Sequence, residues 1–118
     1  MNMIQKRYAI DRINTVLRIK EEVVRVACTK KLPTPSDSYM LRAVRNDELC
    51  LKKGAKITDK LIDAYDFSDV WVGSSFDTNK FENMVTPIRK LAAKIRDEIM
   101  LGSSDAALDM IQNFVRVD

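Results

Sequence analysis

From Met3 to Lys31 the apolar residues return with the spacing of a helix face, and neither Gly nor Pro interrupts them. Placed at about 100° per residue around Ile13, the residues Ala9, Ile10, Ile13, Val16, Leu17, Val23, Val24, Ala27 and Cys28 fall within about 80° of one direction. Arg7, Asp11, Asn14, Arg18, Glu21, Glu22 and Arg25 gather on the opposite side, with Glu21 and Arg25 in the favourable i,i+4 order. The pattern predicts one long helix over about 3–31. Two features depart from a plain surface helix. Lys20 falls inside the apolar stripe, and Tyr8, Ile19 and Val26 make a second apolar line beyond its edge. A long helix that is apolar on more than one side is expected to meet several helices or a second subunit. Tyr8, Ile19 and Val26 are therefore the candidates for self-association.

Pro33 and Pro35 close that helix, and Ser36 offers an N-cap for a shorter one through Tyr39, Met40, Leu41 and Val44. The stretch LKKGAKIT reads as a basic turn around Gly54 or as a short hairpin over 49–57. Thr58 caps a helix to about Tyr65, with Leu61, Ile62 and Tyr65 on one face. Val70–Val72 lies in the least helical part of the chain, where a short strand over 69–72 fits. Asn79 and Glu82 then form an N-x-x-E start signal for a second long helix over about 79–101. Its apolar face is Phe81, Met84, Val85, Ile88, Leu91, Ala92, Ile95 and Ile99. Pro87 interrupts this helix without shifting its phase, which reads as a kinked helix or as a short turn stacked on a helix with Thr86 as N-cap and Pro87 at N1. Gly102 suits the C′ position, and Ser103 or Ser104 caps a last helix with Leu108, Ile111, Phe114 and Val115 inward. The expectation is an all-α fold, a compact bundle of four to six helices, forming a single helical domain over 1–118.

Composition narrows the chemistry. The 118 residues include three Gly and three Pro, too few for the turns of a sandwich or barrel. Histidine is absent, which removes imidazole acid–base chemistry, His-dependent triads and His–zinc sites together. Three scattered glycines form no phosphate-cradling fingerprint. Asp63, Asp66 and Asp69 are spaced by three, unlike the alternating ligands of a calcium loop. Adjacent carboxylates such as Glu21/Glu22 and Asp97/Glu98 point about 100° apart on a helix and read as solvated surface. No catalytic residue, cofactor, metal or small-molecule substrate is expected. Cys28 and Cys50 read as small buried hydrophobes of a reducing compartment. With no signal-like start and no long apolar run, the expected location is cytoplasmic, away from membranes.

The charge is unevenly placed. Residues 1–60 hold 14 Lys/Arg against 7 Asp/Glu, and residues 61–118 hold 6 against 10. Such a chain can pair its own halves, a like chain or two partners of opposite sign. Within the acidic half, Tyr65, Phe67, Trp71, Phe76 and Phe81 alternate with Asp63, Asp66, Asp69 and Asp77. This segment reads as aromatic plugs at the ends of the core, slightly favoured, or as an epitope ringed by negative charge. Asp66, Phe67, Asp69, Trp71 and Phe76 are the partner-binding candidates, and an exposed Trp71 would favour the epitope.

The leading expectation is a non-catalytic helical protein acting by protein–protein contact, as an oligomerising adaptor or an inhibitor of a larger machine. Small chains without a site are common among phage and mobile-element accessory proteins, which is an association and not a deduction. The alternative is a nucleic-acid-binding accessory protein. Arg7, Arg18 and Arg25 project within about 20° of one another, and Lys52, Lys53 and Lys56 extend the basic surface. Asp11, Glu21 and Glu22 flank that line and weigh against it.

Overall fold

The fold comes from a computed structural model, which describes residues 2–28, 56–65, 76–102 and 104–116. It is all-α. Four helices occur among these residues: α1 (Met3–Ala27), α2 (Asp59–Ala64), α3 (Thr78–Leu101) and α4 (Ser104–Phe114). The two long helices, α1 and α3, pack on each other over the largest interface, with α4 folded back on α3 and α2 set against α1.

Short-range hydrogen bonding sets the helix ends. Asn2 Oδ1 accepts from the Gln5 N–H at 2.8 Å while Gln5 Oε1 accepts from the Asn2 N–H at 2.9 Å, a reciprocal capping box that opens α1. At its other end α1 stops at Ala27, short of the expected 31. The Cys28 N–H is shared between the carbonyls of Val24 and Arg25, and the Cys28 carbonyl accepts from Asp77 N–H at 3.1 Å. This bond ties the end of α1 to the residue that begins α3. Asp77 is also the N-cap of α3, its side chain accepting from the Lys80 N–H at 3.0 Å, so the cap lies two residues before the expected Asn79. An aspartate suits this place because its charge also meets the positive end of the helix dipole. Thr58 caps α2 as expected, and Gly102 closes α3 in the left-handed region at φ 82°.

α3 is one helix through Pro87. Its buried face is Phe81, Val85, Ala92, Ile95 and Ile99, with Ile88 partly buried. Met84 and Leu91, expected inward, are each 40% exposed and sit at the border of the stripe. α1 contributes Ile13, Val16 and Ile19, all fully buried, together with Ala9 and Val24. Ile57, Leu61, Ile62 and Tyr65 close the core from the side of α2, and Phe114 and Val115 close it from α4. Ile88 packs against both this main cluster and a smaller one formed by Val24, Cys28, Phe81 and Val85.

The one sheet-like pairing between described residues is an isolated antiparallel bridge between Lys56 and Arg116, in which Ile57 N–H donates to the Val115 carbonyl at 2.7 Å. The described end of the 49–57 stretch thus pairs with the residues that follow α4. Residues 49–55 and 69–72, like the expected helix after Ser36, lie outside the described residues. Among the described residues no helix is long and apolar enough to cross a membrane.

Candidate functional site

Three consecutive charged side chains of α1 are buried: Lys20 at 5%, Glu21 at 7% and Glu22 at 2% exposure. Helical phase alone puts Glu21 and Glu22 in solvent, and the structure corrects that. α1 is covered on more than one side, and cations from α1 and α3 meet its carboxylates. Arg89 on α3 addresses Glu21 with two nitrogens, Nε to Oε1 at 3.3 Å and Nη2 to Oε2 at 3.5 Å. Arg25 Nε lies 3.4 Å from Glu22 Oε1, so the expected Glu21–Arg25 pair is replaced by Glu22–Arg25. Lys20 Nζ sits 4.4 Å above the Phe114 ring, an arrangement that compensates a desolvated ammonium with the ring's negative face. These groups hold helices together around a polar layer. Among the described residues no three Cys, Asp or Glu side chains converge as metal ligands do.

The same layer takes apart the expected arginine line. The Arg25 guanidinium is 4.6 Å from the Phe81 ring centre and 5.4 Å from that of Phe76. Its side chain, 16% exposed, is enclosed by those rings and Glu22. Arg18 is half-buried, and Arg7 and Lys56 are exposed. Lys52 and Lys53 lie outside the described residues. Phe76, a partner-binding candidate, is half-buried and packs on Phe81, ring centres 5.2 Å apart and tilted by 57°. Asp66, Phe67, Asp69 and Trp71 lie outside the described residues. Of the self-association line, Tyr8 is 64% exposed but Ile19 is fully buried. Ile19 belongs to the core because α1 is covered on several sides at its middle. The Val26 side chain is outside the description.

Tyr8 has different companions. Ile4, one turn before it on α1, is 80% exposed, and Leu108 on α4 is 49% exposed. With Ile111 and Ala9 they line a groove of about 620 Å³ between α1 and α4, edged by Arg12. Leu108 was expected inward. On α4 the core is met by Met110, Ile111 and Phe114, with Val115 just beyond the helix, and Leu108 is left on the groove. The neighbouring end of α3 adds exposed Met100 and Leu101, and the Met100 carbonyl accepts from Lys6 Nζ at 3.3 Å. One end of the molecule therefore carries large apolar side chains from three helices. Ile4 and Tyr8 are an i,i+4 pair visible in the sequence, whereas Leu108 comes from a helix about a hundred residues away and carries no local signal.

No protein family matches the chain, and neither a curated protein nor a solved structure matches it.

Proposed function

We propose that this is a non-catalytic interaction protein that docks a protein surface onto the apolar groove between α1 and α4. The observation that carries this reading is the exposure of Ile4, Tyr8 and Leu108 along one groove, beside exposed Met100 and Leu101. Monomeric proteins seldom leave large apolar side chains contiguous in water, and such patches mark interaction sites. Arg12 at the edge, ion-paired with Asp59 on α2, supplies the polar rim common to protein interfaces. The nucleic-acid alternative draws less support, because Arg25 is held between aromatic rings and Glu22.

The test is to compare the parent chain with Leu108→Glu and Ile4→Glu after circular dichroism has verified that each is folded. The reading expects a complex of defined stoichiometry that the parent forms and both variants lose. Complexes that form equally well with either glutamate in the groove would overturn it.

A further inference from the structure

We infer that the groove takes an amphipathic helix of a partner protein, apolar along one face and acidic at one end, with the acidic end seated at Lys56 and Arg116. This rests on the reading of the groove as a docking surface and names the chemistry of its occupant. The groove does not stop at Arg12 and Ile111. The same two residues also line a second cleft, of about 370 Å³, whose walls include Lys56, Asp59 and Arg116. The two clefts therefore share a border and follow one another along α4. Ile4, Tyr8 and Leu108 make the first apolar, whereas the walls of the second hold three cations and one carboxylate. With the Arg12–Asp59 ion pair set aside, the charges lining that second cleft are Lys56 and Arg116, both positive.

The backbone brings these two cations side by side. Lys56 and Arg116 are opposite each other in the antiparallel bridge, and the bond from Ile57 N–H to the Val115 carbonyl lies next to that pair and not within it. Opposed residues of this kind have Cα atoms roughly 4.5 Å apart and side chains on the same side, where like charges oppose the pairing. An acidic group set against both turns that repulsion into attraction. Both residues are exposed, so a ligand reaches them from solvent. The apolar half favours a helix as the occupant. Its walls belong to α1 and α4, whose backbone groups bond within their own helices, so recognition falls to side chains. It also favours a protein over a nucleic acid, because a phosphate backbone has nothing to set against Ile4, Tyr8 and Leu108.

Selection on the intact chain from a phage-displayed library of random peptides of about 16 residues, about 24 Å long as helices, tests this. The expected enrichment is of peptides with apolar residues at helical spacing followed by Asp or Glu. A synthetic enriched peptide, followed by fluorescence anisotropy, should bind the double variant Lys56→Glu/Arg116→Glu roughly tenfold more weakly than the parent. It should not bind Leu108→Glu. The same peptide with each acid replaced by lysine should prefer the double variant to the parent, which separates a lost contact from a misfolded chain. Enriched peptides without acids, or binding indifferent to Lys56 and Arg116, overturn the inference. If such binding is still lost in Leu108→Glu, the docking reading survives and only the acidic end is wrong. If nothing is enriched, or no enriched peptide depends on Leu108, both fail. Retention of duplex DNA that needs Lys56 and Arg116 but not Leu108 would assign the basic end to phosphate and also overturn the inference.

Discussion

Arg89 on α3 reaches across to Glu21 on α1 and meets both carboxylate oxygens, at 3.3 and 3.5 Å, while its third nitrogen lies 3.4 Å from Glu82. Glu21 is the buried partner, its side chain 9% exposed against 43% for Arg89. Removing the guanidinium strands a carboxylate inside the α1–α3 interface, so Arg89→Ala is expected to cost about 1–3 kcal/mol. That is less than for a fully buried pair, because the arginine already faces solvent in part. Replacing both partners by Met removes the stranded charge and recovers most of the loss. Urea denaturation of the two single variants and the double variant gives the coupling directly. Additive single effects would mean that the pair does not hold the helices together.

Pro87 lies in the middle of α3, where it offers no N–H to the Asn83 carbonyl. The residue before it bonds to the preceding carbonyl and not to the one left without its N–H: Thr86 Oγ1 donates to the Glu82 carbonyl at 2.7 Å. Both side chains are on the exposed side of the helix, the side on which a helix curving around its core tilts its carbonyls toward water. The core phase from Val85 to Ile88 and Ala92 is unbroken, so packing does not depend on the ring. Pro87→Ala should raise stability by about 1–3 kcal/mol by restoring a backbone hydrogen bond. Thermal unfolding checks this. A lower midpoint would show that the proline's curvature is needed to seat α3 on α1.

Local signals were legible in the sequence where a single turn of chain decides the outcome. Thr58 caps α2 and Gly102 closes α3 because their side chains, or the lack of one, act on backbone groups within four residues. The apolar phase of α3 likewise identified Phe81, Val85, Ala92, Ile95 and Ile99. Burial of Glu21 and Glu22 was not legible, because phase assigns them to water and the guanidinium that meets Glu21 arrives from 68 residues away. For the same reason the meeting of Ile4 and Tyr8 with Leu108 across the groove was not readable. An N-x-x-Q signal at Asn2 and Gln5 was present, and so was Asp77, whose charge makes it a better cap than Asn79. Leu108 shows the opposite error: its spacing fits an inward face, but α4 meets the core through Met110, Ile111 and Phe114 and leaves Leu108 exposed.

Gly102 ends α3 with φ at 82°, its N–H donating to the Ile99 carbonyl at 3.2 Å. An added Cβ would meet nothing closer than Lys6 Nζ at 3.9 Å, so space is available and only backbone conformation resists substitution. Gly102→Ala should therefore cost about 1–2 kcal/mol, the penalty of a left-handed L-residue. Gly102→Asn should cost less, since asparagine tolerates that region. The order Gly, Asn, Ala in denaturation midpoints is the check. Equal midpoints would mean that the end of α3 is free to adopt another conformation.

Cys28 is 5% exposed at the end of α1, with Sγ 3.9 Å from Met84 Sδ. Burial pushes its thiol above the ordinary value of 9.0, Lys80 pulls it back in part, and Asp77 adds to the rise. Less thiolate and less access both slow alkylation. In a Cys50→Ala background, where Cys28 is the one remaining thiol, labelling at neutral pH should be at least about tenfold slower than in denaturant. The same burial has a signed effect on stability. Below pH 9.0 the thiol is protonated in both folded and unfolded chains and its contribution is fully present. As pH rises from there through the higher folded value, the unfolded chain ionises first and that stability is lost. Denaturation midpoints should therefore fall more steeply above pH 9.0 in the parent than in Cys28→Ala, the remaining titrating groups being common to both. Parallel pH profiles, or labelling as fast in the native chain as in denaturant, would place the thiol in water and remove Cys28 from the small cluster it forms with Val24, Phe81 and Val85.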